Sequence, residues 1–225
     1  CKRLKRKTIL QNFDLGTFLL AVLPVLLAIT VHEASHGYMA RHYGDRTAEQ
    51  LGRLTLNPLA HIDPIGTILV PSVMFFTTGF LFGWAKPVPV VTRNFRNARM
   101  GMRMVAIAGP LSNLAMMFGW AVLMMLSPLV SESFQYPMQQ MSRFGITINA
   151  VLFVLNMLPI LPLDGGRFLD TFLPPKASMQ FQKIEPYGTW ILVGLMFTGL
   201  LSTIMSPFLS LILGVVQSFM RLFIG

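Results

Sequence analysis

Apolar residues gather into long runs along this chain, unlike the short stripes of amphipathic soluble helices. The first run covers residues 14–40 and is followed by a polar stretch, 41–63, carrying Arg41, Asp45, Arg46, Glu49, Arg53 and Asp63. Residues 64–83 are apolar again but are broken by Pro64, Gly66, Pro71, Gly79 and Gly83. The stretch Lys86-Pro87-Val88-Pro89-Val90 must be extended, because each proline disfavours helical backbone in the residue before it. Further runs at 104–130, 144–173, 187–205 and 207–224 are separated by polar links at 131–143 and 176–185, and the last two by a tight turn. Crossing a bilayer core takes about 20 apolar residues, so the pattern predicts an all-α polytopic membrane protein with about five to six membrane segments. Between its first two long helices it predicts a re-entrant and extended element over 64–91.

Composition agrees with the pattern. The chain has 225 residues, 53% hydrophobic and 12% charged, whereas an ordinary soluble domain is about a quarter charged. A net charge of +9 would suit a nucleic-acid binder if it were spread over a surface, but Lys2, Arg3, Lys5, Arg6 and Lys7 supply five of those units. The other basic residues flank apolar runs, which is the pattern of membrane anchoring, so no nucleic-acid partner is expected. Residues 1–13 are read as a basic tail outside the fold. Residues 14–225 are read as one membrane-embedded domain, closed by a helical pair at 187–224. The single cysteine, Cys1, excludes an internal disulfide and a cysteine-rich metal site.

The first run carries His32-Glu33-Ala34-Ser35-His36 in its C-terminal half. Histidines four apart on a helix project from one face and can bind one tetrahedral zinc, with the adjacent glutamate as general base. Ionisable groups inside an apolar helix cost roughly 2.5 to 3.5 kcal/mol each on the insertion scale, and a metal compensates for that cost. A catalytic zinc takes three protein ligands. Of the other histidines, His42 is rotated away from the 32/36 face and His61 lies in a polar, proline-flanked link, so both read as interfacial. Asp164 follows Asn156, Pro159 and Pro162 in an apolar run, where irregular backbone at membrane depth marks a cavity. Asp170, three residues beyond Arg167, reads as that arginine's ion-pair partner.

These residues resemble the site-2 protease family of intramembrane metalloproteases. The family combines an apolar H-E-x-x-H helix with a distant N-x-x-P-x-x-x-L-D-G motif, matched here by Asn156, Pro159, Leu163, Asp164 and Gly165. Gly109-Pro110-Leu111-Ser112-Asn113 is similar to its G-P-x-x-N segment. The core motifs run from 32 to 165. The resemblance implies His32, His36 and Asp164 as zinc ligands and Glu33 as general base. It implies Asn156 as a polar group beside the substrate or the developing oxyanion, and Asn113 as a supporting group. It also implies cleavage of transmembrane segments of single-pass proteins, such as anti-sigma factors or signal-peptide remnants. The link between the third run and the Asn156 run is too short for a PDZ insert, so a minimal bacterial-type member is expected.

Arg93, Arg96, Arg99 and Arg103 form the densest basic cluster beyond the tail and mark the cytosolic side. Both motifs then lie near that side of a bacterial inner membrane, although the basic tail argues for the opposite orientation. The competing class is an ion- or proton-coupled transporter using the same His and Asp residues. It is disfavoured by the absence of repeated halves and by Glu33 at the water-activating position.

Overall fold

The protein is described by a computed structural model over residues 15–70 and 85–224. Its first helix, α1 (Leu15–His42), is 28 residues long and contains Pro24. Pro24, Ala28, His32, His36 and Ala40 recur every fourth residue and are all buried, while Phe18, Leu19, Leu23 and Leu27 face outward. Helices in lipid gain no hydrophobic driving force from burying leucine against leucine. They associate where small residues let backbones approach, and this stripe of proline, alanine and histidine is such a seam. The helix stops because Gly44 turns the chain at φ 114°, a conformation only glycine adopts without cost.

A single turn, α2 (Thr47–Gln50), follows, and the chain then makes short helical turns at Pro58–His61 and Pro64–Leu69. Residues 85–91 have no regular structure, and Val91 at their end is extended (φ −115°, ψ 100°). The segment is thus non-helical, as its prolines require, and extended at Val91. The re-entrant reading of 64–83 falls largely outside the described residues, as does the basic tail 1–13.

Helix α3 (Ala98–Leu126) begins at Asn97, whose side chain accepts the Met100 N–H at 3.0 Å. Helix α4 (Glu132–Asn156) ends where Pro159 and Pro162 forbid continuation. It starts twelve residues before the run predicted at 144. The polar stretch 131–143, expected as a link, is the first half of the helix, Pro137 included; Glu132, Gln135, Met138, Gln139, Gln140, Met141 and Arg143 are good helix formers despite the polarity of most of them. Helices α1, α3 and α4 pack on one another and form the core. Met117, Trp120 and Ala121 of α3 meet Ile146 and Ala150 of α4 and Val216 further on.

Four more helices complete the chain: α5 (Asp164–Asp170), α6 (Pro175–Gln182), α7 (Glu185–Phe197) and α8 (Leu200–Ile224). The break between the last two lies at Gly199 (φ 76°) and not near Pro207, which is inside α8. As a result α7 has 13 residues, about 20 Å at 1.5 Å per residue, too short to cross alone. Among the described residues three helices are long and apolar enough to span: Gly16–His42, Ala98–Leu129 and Leu200–Phe223. Helix α4 has the length but is less apolar, carrying Glu132, Gln135, Gln139, Gln140 and Arg143. The all-α membrane architecture stands, with three such spans where five to six segments were expected.

Candidate metal centre

His32 and His36 sit one turn apart on the buried stripe of α1, and Asp164 opens α5 after the proline-broken loop. Their side chains converge. The two Nε2 atoms are 3.1 Å apart, and Asp164 Oδ2 lies 3.2 Å from that of His32 and 3.3 Å from that of His36. Three ligand atoms held about 2.0–2.1 Å from a tetrahedral zinc stand about 3.3–3.4 Å apart, so the triangle has the size the ion requires.

The protons point the same way. His36 Nδ1 lies 2.7 Å from the Val105 carbonyl oxygen, which can only accept, so Nδ1 carries a hydrogen and in the neutral ring Nε2 presents a lone pair. His32 Nδ1 lies 2.6 Å from Asn113 Oδ1, with the same consequence. Asp164 Oδ2 is buried and accepts no hydrogen bond. With both rings neutral, three acceptor atoms face one point, an arrangement that a bound cation satisfies.

Close approach of α3 makes this possible. A methyl group added at Gly109 would lie against His36 Nε2 and 2.6 Å from His32 Cε1. The glycine of the Gly109 to Asn113 segment is thus the surface on which the imidazoles rest. Asn113, the other end of that segment, is fully buried and bonded to His32, to the Ala28 carbonyl (3.2 Å) and to Asn149 (2.9 Å). It is not among the residues lining the cavity described next; its contacts are with His32 and with α1 and α4 behind it.

The triangle borders a cavity of about 440 Å³ lined also by Glu33, Val88, Val90, Met102, Asn156 and Arg167. Glu33 Oε2 accepts the Val88 N–H at 2.9 Å, which ties the extended segment to the helix. That segment is pinned a second time at Asp45, which is wholly buried just past α1. Its carboxylate accepts from the Val91 N–H (2.6 Å), Asn94 Nδ2 (2.8 Å) and the Thr47 N–H (3.1 Å). Burial alone would raise the Asp45 pKa, but the hydrogen bonds from Asn94, Thr47 and Val91 outweigh it and hold the carboxyl below its ordinary range.

Asp170 does not pair with Arg167, as its spacing suggested. Arg167 reaches Glu185 at 2.8 Å, and Asp170 accepts from Gln182 at 2.8 Å, because the turn into α6 and α7 brings those partners closer than the same helix does. His42 is exposed, as expected of an interfacial residue, but His61 is buried, with Nε2 2.9 Å from the Thr55 carbonyl oxygen. Sequence reasoning reached the Val88 stretch as a substrate-lining segment but not its bond to Glu33, and it passed over Asn149 as a site residue. For Asn149 a signal existed, since it lies two turns before Asn156 in an apolar run and so on the same face.

Comparison with known proteins adds three relatives, each carrying the name "Putative zinc metalloprotease". YwhC of Bacillus subtilis is 38% identical over 193 residues, 84% of this chain and 85% of its own. Rip2 of Mycolicibacterium smegmatis is 29% identical over 187 residues, 81% of this chain and 68% of its own. MJ0611 of Methanocaldococcus jannaschii is 26% identical over 190 residues, 84% of this chain and 81% of its own. No family model matches the chain, and no solved structure does.

Proposed function

Since the chain belongs to the zinc metalloprotease family of YwhC, we propose that it is an intramembrane endopeptidase of the site-2 type, cutting transmembrane segments of single-pass proteins. The observation that carries this reading is the triangle of His32, His36 and Asp164 atoms with Glu33 in the same cavity, the two histidines and the glutamate lying on a helix apolar enough to span a bilayer. These three residues would hold the ion. Zinc, when bound, polarises a peptide carbonyl and brings the pKa of water at its open position to around 7.

The remaining steps belong to the chain's own groups. Glu33 takes the proton of the attacking water and returns it to the leaving amide nitrogen. Its Oε2 is already engaged by the Val88 amide, which leaves Oε1 for that work. Asn156 lines the cavity, where its side-chain amide can donate toward the oxygen that gains charge.

A helical substrate conceals its carbonyls in i to i−4 bonds and must unwind before attack. The extended segment supplies one edge for it. Backbone groups of alternate residues share an edge of a strand, so Val88 and Val90 face one way and Pro87 and Pro89, which lack N–H, the other. The Val90 N–H has no partner among the described residues, so an unwound substrate can pair there as an added strand.

Basic residues support a cytosolic position for the site. The end of α1 and the start of α3 adjoin, with the Arg96 N–H on the Tyr43 carbonyl at 3.0 Å. Arg41, Arg46, Arg93, Arg96 and Arg99 therefore share one end of the bundle, as the positive-inside rule asks of an inner-membrane protein.

The test is cleavage of a panel of single-pass helices by purified protein in detergent. Wild type, Glu33→Gln, and a chelated sample before and after zinc is restored are compared. Zinc-dependent cleavage that falls by about 10²–10⁴-fold in Glu33→Gln, with zinc content unchanged, is the expected outcome. Purified protein that holds no zinc would sink the proposal.

A further inference from the structure

The two histidine ligands are held by unlike groups. His36 Nδ1 faces a backbone carbonyl, that of Val105, which has one chemical identity. His32 Nδ1 faces the side-chain amide of Asn113, whose oxygen and nitrogen exchange places on a half-turn at almost no steric cost. A flipped Asn113 would offer N–H to His32, force the ring's proton onto Nε2 and remove its lone pair from the metal. Something must hold Asn113 the right way round.

Both hydrogens of Asn113 Nδ2 are occupied. One goes to the Ala28 carbonyl at 3.2 Å, an oxygen of α1 that also lies in helical register with the His32 amide. The other goes to Asn149 Oδ1 at the shorter distance of 2.9 Å. Asn149 could flip in its turn, but its Nδ2 donates at 2.8 Å to the Gly145 carbonyl, which can only accept. The Asn113 orientation is thus imposed from two carbonyls, that of Ala28 directly at the longer distance and that of Gly145 through Asn149 at the shorter one. Asn113 and Asn149 are both wholly buried, so no water can substitute for a missing partner.

We infer that Asn149 of α4 is a positioning residue for the metal centre, holding the Asn113 amide in the one orientation that leaves His32 Nε2 free for zinc. The inference rests on the zinc reading of the site. It gives α4 a role in metal affinity although it contributes none of the three ligands. Groups behind a ligand typically change metal affinity by about 10–100-fold when removed.

The experiment measures zinc affinity by chelator competition in detergent, without any substrate. Asn149→Leu, close in volume, removes the acceptor and should weaken zinc binding about 10–100-fold. In an Asn113→Asp background the side chain facing His32 accepts in either orientation, so there Asn149→Leu should cost no further affinity. Val154→Ala, which loosens the same helix without touching the polar chain, should leave zinc affinity at its wild-type value. Should Asn149→Leu fail to fold, Asn149→Ala removes the same oxygen and is read identically. Equal losses in both Asn113 backgrounds, or as large a loss in Val154→Ala, would show a merely structural role and overturn the inference. Wild-type affinity in Asn149→Leu would overturn it too. Wild-type protein that binds no zinc is a different failure, that of the metalloprotease reading itself.

Discussion

Glycine 109 shows how one residue decides whether a ligand set can assemble. The His32/His36 pair needs only the four-residue spacing on α1, but the space in front of it belongs to α3, and a methyl there would overlap the imidazoles. Gly109→Ala should therefore abolish stoichiometric zinc binding while leaving the helical circular dichroism unchanged; normal zinc content would show that the helices part easily. Asp45 acts at the same scale but on pH. Its carboxyl is held below the ordinary value near 3.9, so between the two values the unfolded chain binds more protons and stability rises with pH. The contribution is fully present above about pH 4 and is lost on acidification through the lower, folded value. Thermal melts in detergent over the acid range should show this slope in wild type and a shallower one in Asp45→Asn.

At the scale of elements, the extended segment between α1 and α3 connects groups far apart in the chain. It is held at Val88 by Glu33 and at Val91 by Asp45, 55 and 46 residues away. This alters how its role in substrate pairing is tested. Proline at Val88 removes the hydrogen bond to Glu33 as well as a strand donor, so loss of activity there is ambiguous. Proline at Val90 keeps the hydrogen bond to Glu33 and removes a donor without a partner among the described residues, together with the packing of the valine side chain against Ala40, Phe95 and Val105; cleavage should fall by about tenfold or more, the scale of losing one hydrogen bond of about 1.5 kcal/mol, with zinc content unchanged. Turnover equal to wild type in Val90→Pro would remove strand addition from the mechanism.

Across the whole molecule, the outer faces of α7 and α8 expose Trp190, Phe197, Phe208 and Leu211, and little of α8 is buried in the protein. Such a surface belongs against lipid. The helices with buried polar groups, α1, α3 and α4, form the inside. With the basic end on the cytosolic face, a cysteine placed at exposed Arg96 in a Cys1→Ser background should react with an impermeant maleimide in inverted vesicles and not in intact spheroplasts. Labelling in spheroplasts would reverse the orientation without affecting the chemistry of the centre.

Much of this was legible along the chain, because it depends on local periods. Long apolar runs dictate membrane helices, a four-residue spacing puts two histidines on one face, and paired prolines after Asn156 end a helix and free the backbone at Asp164. Boundaries were less legible. Polarity between 131 and 143 suggested a link, whereas helix formation there depends on propensity and packing against α3. What the tertiary structure alone decided are partners separated by tens of residues: Asn113 and Asn149 behind His32, the Val88 amide on Glu33, and Glu185 in place of Asp170 for Arg167. No spacing rule reaches that far. Such contacts follow from how closely helices approach, and that closeness is set by small residues such as Gly109 and Gly145, whose added methyl groups would strike the imidazoles and Trp120.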